Sequence, residues 1–376
     1  VLKFINGFPS HTPFIQNDIS HFKIPFMESK SLKAKAYLRQ GSVCYCADFR
    51  AYDTPVLMNL ELTTRCPLHC PQCYCELLGG KDMEFDTALY WLKEASKNNV
   101  KTINLSGGET IIYPDLEKLI KVSSDFGMET NIALSGFGVD KEKLERLIES
   151  GVSEICISLN GSTKEINKKT RDGYELAINT LQILKNMNYK KTYINWVMHS
   201  NNASDFKEMI KLAEKYNVCG LVVMVFKPDA KNQRKSVPSV VQIYEIAKCI
   251  KEYKGIVNIE VEECFSQLKA VLGKRFFTNL NQGISKGCGA GRDGISVSVD
   301  GKLTPCRHLE IKEDFDTIRQ YWENSNVLKQ IRQIEDNKKE PCNSCTYKNY
   351  CLPCVAVNWK MNKEIYMGED GCAIGK

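Results

Sequence analysis

Three cysteines, Cys66, Cys70 and Cys73, follow one another at C-x3-C-x2-C spacing directly after an apolar run over 56–62. A [4Fe–4S] cluster normally takes four thiolates, so three from one loop leave one iron open to a small molecule. Zinc sites usually pair C-x2-C motifs or add histidine, and His69 lies inside this loop at an unsuitable offset. The spacing therefore favours an open iron–sulfur cluster over a zinc loop or buried free thiols.

Seventeen cysteines in 376 residues also point to ligation. Without an export signal such a count indicates metal or cluster binding rather than disulfides, and we expect a reducing, oxygen-poor cytoplasm. A net charge of +6 is too small to indicate nucleic acid. No apolar run reaches the roughly 18 residues of a membrane span, so we expect no membrane partner.

Strands and helices alternate six times from residue 55, which predicts a parallel sheet. We expect an α/β protein with a partial (β/α)6 TIM-type barrel over 55–227 and the active face at the loops that follow the strands. Residues 1–54 are expected to form an arm or small hairpin, and 228–283 a bridging helix and strand. A small cysteine-rich domain is expected over 284–376. Two ordinary thiols are favoured for Cys44 and Cys46, and a packing role for Cys249.

Three of these loops together resemble the radical S-adenosylmethionine (SAM) enzymes. The resemblance implies that Cys66, Cys70 and Cys73 hold the catalytic cluster. Further SAM contacts are implied for the segments Ser106-Gly107-Gly108-Glu109, Ser158-Leu159-Asn160-Gly161 and Arg171-Asp172-Gly173. Glu109, with Gly107 and Gly108, would meet the amine of SAM, Ser158 the ribose and methionine end, and Arg171 the carboxylate. A plain turn and a surface ion pair are the alternatives for Glu109 and Arg171.

One position departs from the radical SAM pattern. The residue before the third cluster cysteine is commonly aromatic in the family, and here it is Gln72, with Tyr74 just after the cysteine. Either residue is a candidate for the adenine contact.

The C-terminal cysteines resemble the seven-cysteine SPASM domain, which carries two auxiliary [4Fe–4S] clusters. Family wiring implies Cys288, Cys306 and Cys354 for the first cluster and Cys342, Cys345, Cys351 and Cys372 for the second. The segment between Gly294 and Pro305 is expected to be a hairpin through Asp300-Gly301. The last C-x2-C is shorter than the family's usual spacing, and zinc knuckles are the alternative. The first cluster lacks an obvious fourth thiolate, which leaves Cys264, a substrate sulfur or an open iron.

The family resemblance implies an enzyme with SAM and three [4Fe–4S] clusters. Reductive cleavage of SAM would give a 5′-deoxyadenosyl radical that abstracts hydrogen from a ribosomally made peptide. The leading hypothesis is a maturase that forms a thioether, of the sactipeptide or ranthipeptide kind, because the missing fourth thiolate would leave an open site on the first auxiliary cluster. Carbon–carbon crosslinking, epimerisation and sulfatase-type formylglycine formation are alternatives. Arg307 occupies the position of the sulfatase maturase base and cannot accept a proton. A non-catalytic metal-binding scaffold is the alternative of another class.

Partners are also implied by the resemblance. We expect a peptide substrate with a leader and an external electron donor like flavodoxin or ferredoxin. Residues 1–54 look too short for a peptide-clasp domain, so a separate leader-binding protein or the barrel itself would bind the leader.

Overall fold

The computed structural model describes residues 34–39, 42–47, 52–75, 80–228, 231–273, 287–309, 311–348, 351–366, 372 and 374. Within the N-terminal segment, β1 (Ala34–Arg39) and β2 (Ser42–Ala47) form a separate antiparallel hairpin. Cys44 and Cys46 lie on β2. The remainder of the expected arm, over 1–33, lies outside the described residues.

A single nine-stranded sheet forms the centre of the molecule, in the order β11-β10-β3-β4-β5-β6-β7-β8-β9. Its six consecutive parallel strands are β3 (Leu57–Thr63), β4 (Thr102–Gly107), β5 (Glu129–Leu134), β6 (Glu154–Ser158), β7 (Thr192–Met198) and β8 (Gly220–Val225). These strands confirm the six predicted from the sequence. Together with the helices that connect them, they form the partial barrel of an α/β protein.

Helices fill the connections between the strands. They are α1 (Phe85–Lys97), α2 (Leu116–Asp125), α3 (Lys141–Glu149), α4 (Lys164–Asn167), α5 (Tyr174–Asn186) and α6 (Phe206–Lys215). Local signals set some of their starts. At α3, for example, the amide of Lys143 donates to the Asp140 side chain over 2.7 Å, which satisfies one of the unpaired amides of the first turn.

The alternation along the strands separates an apolar outer face from a polar inner face. On β3, Met58, Leu60 and Leu62 are buried in the main hydrophobic core, where the helices pack. Asn59, between two of them, lies opposite Asn104 on β4, which in turn lies opposite Asn131 on β5. Because strand side chains alternate in direction, these asparagines share the face turned away from the helices.

The sheet extends past the six-unit barrel at both edges. The bridging segment supplies α7 (Val240–Glu252), β9 (Asn258–Val261) and α8 (Ser266–Leu272), and β9 pairs parallel with β8. Cys249 packs against the main core, as expected for a packing residue. At the other edge β10 (Gly294–Val297) pairs parallel with β3 and antiparallel with β11 (Leu303–Thr304), which confirms the predicted hairpin. The C-terminal region therefore begins as a continuation of the barrel sheet.

Three short helices complete the C-terminal region: α9 (Ile318–Asn324), α10 (Asn326–Arg332) and α11 (Val355–Asn362). A second hydrophobic cluster, which includes Leu309, Ile331, Leu352 and Val355, holds this region together around Cys288 and Cys354. None of the described helices has the length and apolarity needed to cross a bilayer.

Candidate active site

A cavity with about 1110 Å³ of space, part of it open to solvent, lies at the ends of the barrel strands. All nine residues predicted for the catalytic cluster and SAM line it: Cys66, Cys70, Cys73, Tyr74, Gly107, Gly108, Glu109, Ser158 and Arg171. They come from the segments that follow β3, β4 and β6, whose carboxyl ends meet at one edge of the sheet. We call this space the first cavity.

The cysteine loop is held from two sides. The amide of Cys73 donates to the carbonyl oxygen of Cys70 over 3.0 Å, which closes a turn. The amide of His69 donates to Oδ2 of Asp172 over 2.8 Å, and the amide of Gln72 to the oxygen of Thr170 over 3.3 Å. The segment that carries Arg171 therefore also fixes the cysteine loop.

Two glycines attach the next loop to the cysteine loop. A Cβ on Gly107, which has φ +134°, would lie 2.2 Å from the carbonyl oxygen of Thr63. A Cβ on Gly108 would lie equally close to the oxygen of Arg65. Because any side chain would push these backbones apart, glycine is required for Glu109 to stand beside the three cysteines.

The donor set suits an iron–sulfur cluster. Three thiols of one loop face the same cavity, and burial raises the pKa of both Cys66 and Cys70. A hydrogen bond with the Cys75 thiol lowers the pKa of Cys73 to about 6. No group of three side chains within the described ranges is arranged around a single metal ion, so the fit is argued from ligand type and placement. Cys66, Cys70 and Cys73 would hold the cluster.

Glu109 supplies the clearest sign of a missing ligand. Its side chain is 2% exposed, and Oε2 accepts from the amide of Ser135 over 3.2 Å. Oε1 has no hydrogen-bond partner among the described residues, and burial raises the pKa of this carboxyl group. A buried acceptor left unpaired is costly, and the amino group of SAM would satisfy it.

Arg171 reaches the same space from the segment after α4. Its Nε donates to the carbonyl oxygen of Ser158 over 3.0 Å, which leaves the remaining guanidinium donors for a ligand. It lies close enough to Cys70 and Cys73 to oppose the burial effect on Cys70 and to help lower the pKa of Cys73. This is a suitable position for the carboxylate of SAM.

Gln72 and Tyr74 both line the first cavity, but their side chains contact different neighbours. The amide oxygen of Gln72 accepts from Nε2 of His199 over 2.6 Å, and burial lowers the pKa of His199 to about 4. Tyr74 instead stacks on His308, with ring centroids 4.3 Å apart. The adenine contact of Tyr74 stays a prediction.

Sequence reasoning missed several residues of the first cavity. Val197 and Phe226 line it from the ends of β7 and β8, and His199 packs on Phe226 with ring centroids 4.0 Å apart. These residues lie at or just after the ends of predicted strands, and that position could have identified them from the sequence.

A second cavity lies beside the first and contains the auxiliary cysteines. Its lining includes four of them: Cys264, Cys288, Cys306 and Cys354. The Cys264 and Cys288 sulfurs lie 3.9 Å apart, and each thiol interacts with Cys354. Cys156 on β6 also lines this cavity, but Cys264 is the one whose sulfur lies beside Cys288, so Cys264 is the candidate for the fourth ligand of a [4Fe–4S] cluster.

The other four auxiliary cysteines are only partly located. Cys342 and Cys345 share a turn in which the Cys345 amide donates to the Cys342 oxygen over 3.4 Å. The amide of Tyr347 donates to the Cys345 sulfur over 3.4 Å. The grouping of these two with Cys351 and Cys372 as a second auxiliary cluster stays a prediction.

The two cavities meet at a set of shared lining residues, among them Ser106, Asn195, Lys227, Arg307 and His308. The asparagines of the inner sheet face line the second cavity and form a ladder. Asn104 Nδ2 donates to Asn59 Oδ1 over 3.1 Å, and Asn131 Nδ2 to Asn104 Oδ1 over 3.3 Å. A molecule in the second cavity would therefore contact a neutral polar wall and still lie next to the SAM side.

Comparison with known proteins agrees with this geometry. Residues 60–213 match the model of the Radical SAM superfamily. A PqqA peptide cyclase of Ruegeria pomeroyi is 30% identical over 315 residues, which are 78% of this chain and 80% of the cyclase. An AdoMet-dependent heme synthase of Methanosarcina barkeri is 24% identical over 81% of this chain and 92% of its own length.

Among solved structures, SuiB of Streptococcus suis bound to S-adenosylmethionine superposes with a TM-score of 0.68 at 18% identity. The match covers 86% of this chain and 78% of SuiB, which has also been solved bound to its precursor peptide SuiA. At this identity the likeness establishes the fold. The family match and the cyclase relative place this chain among the enzymes of the radical SAM superfamily, in the SPASM-type group that includes the PqqA peptide cyclases.

Proposed function

We propose that this enzyme joins two carbon atoms of a ribosomally made peptide, with SAM in the first cavity and the peptide reaching the second. The contact between the two cavities through Lys227, Arg307 and His308 supports the proposal. The relative named PqqA peptide cyclase supports a peptide substrate and a bond between two of its residues.

The observation that carries the choice of bond is the position of Cys264. A thioether enzyme in which an iron binds the substrate sulfur needs a vacant ligand position on the first auxiliary cluster. Cys264 lies 3.9 Å from Cys288 and lines the same cavity as Cys306 and Cys354, so the chain itself offers a fourth thiolate. The argument for a thioether thus loses its basis, and carbon–carbon crosslinking becomes the preferred reaction.

The chain's own residues would place the reactants. Glu109 would orient the amine of SAM, and Arg171 its carboxylate, at the side of Cys66, Cys70 and Cys73. Val197 and Phe226 give this cavity an apolar wall. When bound, SAM and the reduced cluster supply the radical oxidant, and holding substrate close to it is the protein's contribution.

The cofactors and partners that we propose combine the placement of the cysteines with what the family resemblance implies. We propose three [4Fe–4S] clusters, held by Cys66/Cys70/Cys73, by Cys264/Cys288/Cys306/Cys354, and by Cys342/Cys345/Cys351/Cys372. The electron would come from an external donor like flavodoxin or ferredoxin, and either a separate protein or the barrel itself would bind the leader of the peptide, as the family resemblance implies.

A formylglycine-forming enzyme is a weaker candidate, because it requires a base at the position after Cys306. Arg307 occupies that position, and a guanidinium stays protonated in proteins.

Anaerobic reconstitution followed by mass spectrometry tests the proposal. We expect about twelve irons per chain, four for each of three clusters, and 5′-deoxyadenosine on reduction. Co-expression with short open reading frames from the gene's neighbourhood should give one peptide that loses two hydrogens for each crosslink. In the product every cysteine thiol should still react with iodoacetamide, whereas a thioether would consume one.

The Cys70→Ala variant is the matched inactive control for the co-expression. A non-catalytic scaffold would form no 5′-deoxyadenosine, so the absence of this product would contradict the proposal that the protein is an enzyme. Peptides of unchanged mass together with turnover of a tetrapyrrole would contradict the peptide substrate.

A further inference from the structure

Arg307 is a cation at the junction of the two cavities, and none of the contacts inferred for SAM involves it. It follows Cys306 and lines both cavities. Its guanidinium carbon lies 5.6 Å from the centroid of the Tyr74 ring, a cation–π contact that holds the side chain in place.

The hydrogen-bonding donors of Arg307 are unused in the part of the chain that the structure describes. A guanidinium has five N–H donors, yet no hydrogen bond or ion pair of this side chain is found among the described residues; Tyr74, Glu262 and Glu61 act on it through its charge. The other cations of the cavities differ. Lys227 Nζ lies 2.9 Å from both carboxylate oxygens of Glu262, and Arg171 donates to Ser158.

The acidic groups near Arg307, Glu61 and Glu262, act on it through charge but form no hydrogen bond or ion pair with it among the described residues. Glu262 is engaged by Lys227, and Glu61 hydrogen-bonds with the Tyr74 side chain rather than with the guanidinium. Burial raises the pKa of Glu61 to about 7, so this carboxyl group is only partly ionised at neutral pH. The asparagine ladder on the opposite wall carries no charge. A half-buried guanidinium that lines a cavity and makes no hydrogen bond to the described residues is placed to bind an anion there.

We propose that Arg307 binds a carboxylate of the peptide substrate at the junction of the two cavities. The planar guanidinium fork matches a carboxylate in a two-point contact, which would fix both position and orientation. SAM has a single carboxylate, and Arg171 is placed for it beside Cys70 and Cys73. The remaining source of a carboxylate is the peptide substrate, through either an acidic side chain or the peptide's own C-terminal carboxylate. This inference rests on the proposed peptide-modifying function and adds a specificity residue to it.

Binding without turnover tests the assignment on the reconstituted enzyme. The probes are four synthetic pentapeptide pools. Three are amidated, with central Glu, Gln or Leu, and the fourth has central Leu and a free C-terminal carboxylate. Retention of each pool is measured by anaerobic equilibrium dialysis with mass spectrometry. We expect the central-Glu pool, the free-carboxylate pool or both to be retained roughly tenfold to a hundredfold better than the amidated Leu pool.

Variants assign that retention to one residue. Arg307→Gln should abolish the preference, Arg307→Lys should keep part of it, and Arg319→Gln should keep all of it. Arg319 is the matched control because it is an exposed arginine paired with Glu323 on α9. Comparison of the two carboxylate pools identifies which source the site uses.

Equal retention of all four pools by the wild-type enzyme would overturn the inference, as would an unchanged preference in Arg307→Gln. A shifted reduction potential in that variant with no carboxylate preference would show instead that Arg307 balances the charge of the cluster at Cys306. Because the assay needs no turnover, these results are distinct from a failure to cleave SAM, which would defeat the proposed function itself.

Discussion

The two cavities are built from residues at very different distances along the chain. The cluster side of the first cavity comes from eight consecutive residues, Cys66 to Cys73, and its SAM contacts follow later strands of the same barrel. The auxiliary cysteines of the second cavity, by contrast, span 264 to 354 and follow or precede the strands added at the two ends of the sheet, β9 and the β10–β11 hairpin.

This difference separates what each region can do alone. The cysteine loop carries its three thiols within one turn, and the segment around Arg171, which contacts it from 103 residues further along the chain, belongs to the same barrel. The second cavity exists only when the hairpin of β10 and β11 is paired with β3 and Cys264 is placed by β9 and α8. The first region should therefore support SAM chemistry, and the second should decide what is made from it.

The largest effect is expected for the loop cysteines. Cys70→Ala should remove about four of the roughly twelve irons and all 5′-deoxyadenosine formation, because the SAM-side cluster loses a ligand. Iron analysis and product chromatography measure both. Cys249→Ala is the control, since Cys249 packs against the core and lines neither cavity. Full SAM cleavage by Cys70→Ala would contradict the assignment of SAM cleavage to the cysteine loop of the first cavity.

Cys264→Ala should separate the two regions. We expect SAM cleavage without peptide to persist, while crosslinked product falls below detection because the first auxiliary cluster is left with three thiolates. Mössbauer spectroscopy and peptide mass spectrometry follow the two effects, again with Cys249→Ala alongside. If Cys264→Ala crosslinks peptide at the wild-type rate, the fourth position does not require a thiolate, and the thioether alternative regains its argument.

Glu109→Gln is expected to weaken SAM binding roughly tenfold to a hundredfold, since it removes a charged acceptor from a buried site. Equilibrium dialysis with labelled SAM measures the dissociation constant. Glu117→Gln is the matched control, because Glu117 forms surface ion pairs with Lys143 and Arg146 and such pairs contribute little. Equal affinity in both variants would remove Glu109 from the SAM site.

The last prediction concerns His199 and pH. Its folded pKa of about 4 lies below the ordinary value of 6.5, so the unfolded chain takes up a proton first as the pH falls. The stability tied to neutral His199 is complete above pH 6.5 and is lost towards pH 4, by up to about 3 kcal/mol. His199→Gln should flatten that slope in urea unfolding between pH 7 and 5. A variant with the wild-type slope would contradict the buried neutral imidazole.

The sequence predicted the barrel well because its signals are local. The alternation of apolar strand and helix patterns predicted six strand–helix units from residue 55, and the structure has all six. The same holds for Glu109, whose role depends on two neighbouring glycines and on one preceding strand. The cysteine loop carries its ligand spacing within eight residues.

Relations that depend on packing were not predictable in the same way. The contact of Cys264 with Cys288 depends on how two sheet edges are completed, and no spacing rule encodes it. The hydrogen bond between Gln72 and His199 joins residues 127 apart. Arg307 could be named from the sequence as a non-base, but its position between two cavities needed the fold.

The central claim is an iron at the Cys66/Cys70/Cys73 loop with no protein side chain in its last position, where SAM binds. Electron paramagnetic resonance of the reduced, anaerobically reconstituted enzyme with and without SAM tests it most directly. The account predicts that SAM changes the signal of one cluster, and that this change is absent in Cys70→Ala. A spectrum that SAM leaves unaltered, or zinc in place of iron at this loop, would contradict it.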